Sequence, residues 1–151
     1  MSQYEKVVKE LGKHKEVETI LPTCADLGSA GDDFYSKETV TIAPKTAHLF
    51  WTDVKVLLEQ DEVLYVMVRS SIGLKKHLML SNTIGVIDAS YYGNHKNDGN
   101  IGISLYNYGE DAVVINAGER IAQGVVHKVV GLSNRNPLSD SRVGGMGSSG
   151  K

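Results

Sequence analysis

"EVLYVMV", residues 62 to 68, is the stretch from which the fold of this chain can be read. Its valines, leucine, tyrosine and methionine form an apolar run too short for an ordinary helix, and the β-branched and aromatic content favours a strand. Working outward, the same signature returns in TVTIAP (39 to 44), IGISLY (101 to 106), AVVIN (112 to 116) and QGVVHKVV (123 to 130). Gly, Asn, Asp and Pro lie between these runs. Many short strands separated by polar turns, with no long helical periodicity, predict an all-β chain: a jelly-roll-like, distorted β-barrel with little helix. One segment differs. In YEKVVKELGK (4 to 13), Val7, Val8 and Leu11 would share one stripe of a short helix stopped by Gly12, or the segment is a frayed arm.

Bulk properties bound the function. A chain of 151 residues suits one domain with a real core. Its 16 Lys and Arg nearly balance 18 Asp and Glu, so no global field draws it onto nucleic acid or an anionic membrane. The segment MSQYEKVVKE lacks the apolar core of a signal peptide, and no run is long enough to cross a bilayer, so a soluble, cytoplasmic protein is expected. The single cysteine, Cys24, forms no internal disulfide, and the five histidines lack zinc-ligand spacing.

Composition shifts at SNRNPLSDSRVGGMGSSGK (133 to 151), which has almost nothing to bury. The expected organisation is a β domain over 1–132 and a mobile C-terminal arm over 133–151. Within the arm, Arg142 precedes GGMGSSG. Glycine-rich backbone can turn successive N–H groups toward an anion, and an arginine adds a fixed charge and a planar donor fork, a combination suited to covering phosphates.

A second local feature is IGVIDASYYGN (84 to 94), where Asp88 stands between an apolar run and Tyr91-Tyr92, flanked by Gly85 and Gly93. Alone it reads as a turn carboxylate. It is one of five stretches, however: GSAGDDFYS (28 to 36), RSSIGLKK (69 to 76), IGVIDASYYG (84 to 93), AGERIAQG (117 to 124) and RVGGMGSSG (142 to 150). In this order and spacing they resemble the five motifs of the trimeric dUTPases, and the likeness extends to WTDVKV (51 to 56) and ISLYN (103 to 107). The resemblance implies a jelly-roll-like homotrimer that hydrolyses dUTP to dUMP and pyrophosphate with Mg²⁺, lowering dUTP and supplying dUMP for thymidylate synthesis. Sites shared between subunits would set Asp88 and the Arg142 arm apart within one chain.

The same resemblance implies residue roles. Asp88 would orient and deprotonate the water that attacks the α-phosphorus; aspartates ordinarily titrate near pH ~4 and are ionised at neutral pH. The ring of Tyr91 would pack under the deoxyribose and leave no space for a 2′-hydroxyl. Asn82, with the hairpin backbone around Gly85 and Ile87, would read uracil. Arg69, Ser70, Ser71 and Gln123 would contact phosphates, with Arg69 alternatively an ion-pair partner of Asp33. Asp33 would support the metal indirectly, through water. From the arm, Arg142, Gly145, Met146, Gly147 and Ser148 would contact the nucleotide. Met146 stands where the family usually carries Phe over the base, and Tyr92 is the nearest alternative aromatic. The insertion HKNDGN (95 to 100) and the double serine of RSS are similar to a phage and Gram-positive subgroup.

Two other functions compete. The dCTP deaminases, some bifunctional, share the fold and an RSS motif but need a Glu where this chain has Ser104, and a serine is no carboxylate proton shuttle. The other is a dUTPase-like regulatory protein that grips a repressor or similar partner, with HKNDGN as a candidate surface.

Overall fold

The computed structural model describes residues 1–131, 133–135, 137 and 146. Eleven strands run in chain order: β1 (Gln3–Lys6), β2 (Asp32–Tyr35), β3 (Val40–Ile42), β4 (Ala47–Trp51), β5 (Val54–Leu57), β6 (Glu62–Val68), β7 (Leu78–Leu80), β8 (Gly85–Asp88), β9 (Gly102–Asn107), β10 (Val113–Ile115) and β11 (Arg120–Lys128). One short helix, α1 (Ser70–Lys76), and a 3-10 turn (Ala89–Tyr91) are the helical exceptions. Each of the five β-rich runs read from the sequence overlaps a strand, with QGVVHKVV running two residues past the end of β11, and the described residues are mostly β with little helix.

The ladders are antiparallel and fall into four sheets, β1-β5, β10-β3, β2-β11-β6-β8 and β4-β9-β7, rather than one closed barrel. The arrangement is compatible with a jelly roll. In β9, burial alternates strictly, with Ile103, Leu105 and Asn107 inward and Gly102, Ser104 and Tyr106 less covered. That period of two marks a sheet with one face on the core. Phe34, Leu64 and Ile121 from the four-stranded sheet and Phe50, Ile103 and Leu105 from the three-stranded sheet belong to the same buried cluster. One core therefore joins the sheets.

The segment over 4–13 is neither the short helix nor the frayed arm expected. Gln3–Lys6 pairs with β5, with Tyr4 opposite Val56, and Tyr4 meets Phe34 edge-on at 5.6 Å. Only a turn at Val8–Gly12 keeps helical bonding, through Leu11 N–H and Gly12 N–H to the Val8 carbonyl. Edge pairing satisfies the backbone and buries Val7, which an isolated helix of this length cannot match.

The loops are pinned by buried carboxylates. Asp53 accepts hydrogen bonds from Lys13 N–H at 2.8 Å, His14 N–H at 2.9 Å, Asn100 Nδ2 at 2.8 Å and Lys37 Nζ at 3.1 Å. Burial pushes its pKa up, but these donors outweigh burial and hold it below the ordinary Asp value. Asp98, inside the 95–100 insertion, accepts from Lys55 Nζ at 2.8 Å and Val8 N–H at 2.9 Å. The insertion is thus folded back on the N-terminal segment: Asn94, Asn97, Asp98 and Asn100 are buried while His95 and Lys96 stay exposed.

Candidate active site

Three motifs meet at one end of the four-stranded sheet. Register places Gln123 of β11 opposite both Asp33 of β2 and Met67 of β6, one residue short of the end of β6 at Val68. The chain then turns through Arg69 into α1, which starts at Ser70. Together they form a cavity of about 480 Å³ lined by Gly31, Asp33, Arg69, Ser70 and Gln123. Gly31 packs closely there, and a Cβ at that position would stand 3.0 Å from Gln123 Oε1 and press on that side chain. Arg69 Nε pairs with Asp33 Oδ1 at 2.7 Å, and Arg120 donates to Asp33 Oδ2 at 3.2 Å. Both carboxylate oxygens of the buried Asp33 are therefore held by guanidinium groups, and the ion pair considered from the sequence exists. Arg120 is a residue that sequence reasoning passed over, although it lies inside AGERIAQG. Ser71 is half-buried behind Ser70 on the same helix, and the cavity lining does not include it.

Asp88 lies elsewhere. It is the last residue of β8, opposite Val63 of β6, exposed, and it precedes the 3-10 turn without capping it through its side chain. It lines a cavity of about 680 Å³ with Glu62, Tyr65, Ser90 and Arg135. From the register, four residues along β6 and three strand spacings across separate Asp88 from Asp33, a gap of roughly 20 Å.

A third cavity adjoins Asp88, lined by Leu80, Asn82, Gly85, Ile87, Ser104 and Met146. The sequence suggested a hairpin here, but β7 pairs with β9 and β8 with β6, so the turn at 81–84 passes from one sheet to another. β7 and β8 each end their sheet, and among the described residues the outer edge of each has no ladder partner. Unpaired strand edges carry backbone N–H and C=O groups. Ser104 is hydrogen-bonded to Ser81 through their hydroxyls at 2.7 Å, at the position where a deaminase would need a carboxylate.

Tyr91 is only 4% exposed. Its hydroxyl donates to the Asn100 carbonyl at 2.8 Å and accepts from Asn97 Nδ2 at 2.8 Å, so the insertion fixes its ring. Tyr92 is not among the residues that line this third cavity. Its hydroxyl donates to Glu5 at 2.6 Å, and Lys55 Nζ sits 4.7 Å from its ring centre. Glu5 pushes the Tyr92 phenol's pKa up, mainly by accepting that bond. Met146, by contrast, lines this third cavity beside Ile87. Arg142, Gly145, Gly147 and Ser148 lie outside the described residues.

Among the described residues, no group of three or more His, Cys, Asp or Glu side chains could hold a metal ion. No described helix is long and apolar enough to cross a membrane.

Comparison with known proteins adds family-level findings. The dUTPase family profile matches residues 17–150. A deoxyuridine 5'-triphosphate nucleotidohydrolase of Lactococcus lactis is 39% identical over 139 residues, covering 91% of this chain and 93% of that protein. The crystal structure of a dUTPase from Streptococcus mutans superposes with a TM-score of 0.75 at 34% identity, over 85% of this chain and 97% of that one. A dUTPase of Staphylococcus bacteriophage 80alpha, described as controlling transfer of virulence genes, superposes with a TM-score of 0.73. It covers 94% of this chain and 99% of that one at 24% identity, a likeness of fold alone.

Proposed function

This chain belongs to the dUTPase family, and from that membership we propose that it hydrolyses dUTP to dUMP and pyrophosphate, using a water activated by Asp88. The reaction lowers dUTP in the cytoplasm and supplies dUMP for thymidylate synthesis. One observation carries the reading: Asp33, the Arg69-Ser70 pair and Gln123, from three separate motifs, line a single cavity.

That cavity suits a polyphosphate. Arg69 presents a cation whose orientation is fixed by Asp33, and the exposed Ser70 hydroxyl can donate to an α-phosphate oxygen as charge builds on it. Gln123 adds an amide donor. Asp88 takes a proton from the attacking water; the new bond joins water oxygen to α-phosphorus, the bond to the bridging oxygen breaks, and pyrophosphate leaves. Mg²⁺ commonly binds through substrate phosphates and keeps several waters, so it needs few protein carboxylates. Asp33 would reach such an ion only through water, since both its oxygens face guanidinium groups. When bound, Mg²⁺ neutralises charge on the triphosphate.

The base cavity supports the choice of uracil. The edges of β7 and β8 that lack a ladder partner among the described residues offer backbone donors and acceptors beside Asn82, Gly85 and Ile87, a pattern that can pair with uracil and leave the amino group of cytosine poorly matched. Tyr91, immobilised by Asn97 and Asn100, suits a rigid wall against a 2′-hydroxyl. Arg142, Gly145, Met146, Gly147 and Ser148 complete the nucleotide contacts in this reading.

The gap of roughly 20 Å between Asp88 and the phosphate cavity favours a homotrimer in which one subunit supplies Asp88 and another the Arg69 cavity. The test is a panel of dUTP, dCTP, dTTP and UTP with Mg²⁺, scoring pyrophosphate and ammonia. Pyrophosphate from dUTP alone is expected. Ammonia from dCTP would instead indicate a deaminase, and dUTP turnover equal in wild type and Asp88→Asn would favour a regulatory binder.

A further inference from the structure

The outer face of the β4-β9-β7 sheet carries a slot that the five motifs do not account for. Trp51 and Gly102 are opposed in the β4–β9 ladder, as are Leu49 and Ser104, so these four side-chain positions share one face. A Cβ built on Gly102 would stand 2.8 Å from Met146 Cε, 3.0 Å from Leu49 Cδ1 and 3.1 Å from Trp51 Cζ3. Gly102 is therefore glycine for space: its missing side chain is the floor on which the Met146 methyl rests, with Leu49 and Trp51 as walls. Met146 also stands between two cavities, the base cavity and a second one of about 360 Å³ lined by Lys13, Leu49, Trp51, Lys96 and Asn97.

We propose that Trp51, Leu49 and Gly102 form a seat for Met146, and that Trp51 is the positioning residue that holds the Met146 side chain against the base cavity. This rests on the reading of that cavity as the uracil site. The chemistry is specific to methionine in this place. An unbranched thioether can enter a slot between an indole and a glycine, and sulfur–aromatic contact is favourable. The aromatic surface at this site is supplied by the sheet, through Trp51, and the arm supplies the flexible filler.

Trp51 is the only tryptophan in the chain, so its emission reports the seat directly. The experiment compares intrinsic fluorescence and dUTP kinetics of wild type, Met146→Ala, Gly102→Ala, Trp51→Phe and Trp51→Ala. Met146→Ala should shift Trp51 emission toward that of a more exposed indole, and Gly102→Ala should reproduce the shift by filling the slot. Each should raise KM for dUTP about two- to twelvefold, the range a sulfur–aromatic contact corresponds to, with a smaller change in kcat. Trp51→Phe should keep KM near wild type, whereas Trp51→Ala should not. Unchanged emission in Met146→Ala, which leaves the sheet intact, would overturn the seat. Equal KM values for Trp51→Phe and Trp51→Ala would overturn the role of Trp51. A wild type that turns over no dUTP yet shows the emission shifts would sink the uracil reading and leave the seat standing.

Discussion

Asp88 and Tyr91 stand three residues apart on one short turn, yet their environments are opposite. Asp88 is exposed at the end of a strand, where solvent water can reach it, and Tyr91 is almost wholly buried, with its hydroxyl held by the insertion. Replacing Asp88 with Asn removes the proton acceptor and keeps the shape. Pyrophosphate release should fall by roughly 10²–10⁴-fold, with dUTP affinity largely retained. Stopped-flow or coupled assay of the variant checks this, and near-normal turnover would remove Asp88 from the mechanism. Tyr91→Phe strips a hydroxyl that bonds both Asn97 and Asn100. Since the partners stay buried, the loss should be about 1–3 kcal/mol, read as a lower midpoint in urea. A midpoint equal to wild type would show that the hydroxyl does not hold the insertion.

At the scale of elements, the notable device is the knot around Asp53, which ties the 12–14 segment, the insertion and Lys37 to the turn between β4 and β5. The folded state holds its pKa below the unfolded value despite burial. The stabilisation is therefore fully present above the unfolded Asp pKa, near ~4, and is lost as pH falls through the lower folded value. Thermal midpoints measured from pH 7 downward should drop more steeply for wild type than for Asp53→Ala once the pH passes below about 4. At neutral pH the same variant leaves the Lys37 ammonium buried without its carboxylate, at a cost of about 3–5 kcal/mol. Parallel pH profiles for the two proteins would contradict the assignment. The first strand shows the complementary effect: a stretch with some helical spacing becomes β because an open edge of β5 accepts it.

For the whole molecule, the decisive quantity is the distance between Asp88 and the Arg69 cavity, which a single chain leaves too long for one α-phosphate to touch both. Solution scattering or sedimentation should give the mass of three chains, and a monomer active on dUTP would refute the shared site. A mixing experiment is more direct. Asp88→Asn and Arg69→Ala homotrimers should each be nearly inactive, and co-refolding them should restore a measurable fraction of wild-type turnover, because some mixed sites receive both intact residues. No recovery in demonstrably mixed trimers would place both residues in one subunit's site.

How much of this was legible beforehand follows the range of the interactions involved. Strand runs such as 62–68 and 123–130 declare themselves through side-chain type, and motif residues such as Asp88, Arg69 and Gln123 declare themselves through order and spacing, both of which survive in one dimension. The pairing of β1 with β5, the separation of β7 from β8 into different sheets, the grip of Arg120 on Asp33 and the seat of Met146 between Gly102 and Trp51 do not. Each joins positions that are distant along the chain or settles a competition between partners for the same backbone edge. Local propensity fixed the strands of this protein, whereas long-range packing decided which edges stayed open, and those open edges are where the candidate base site lies.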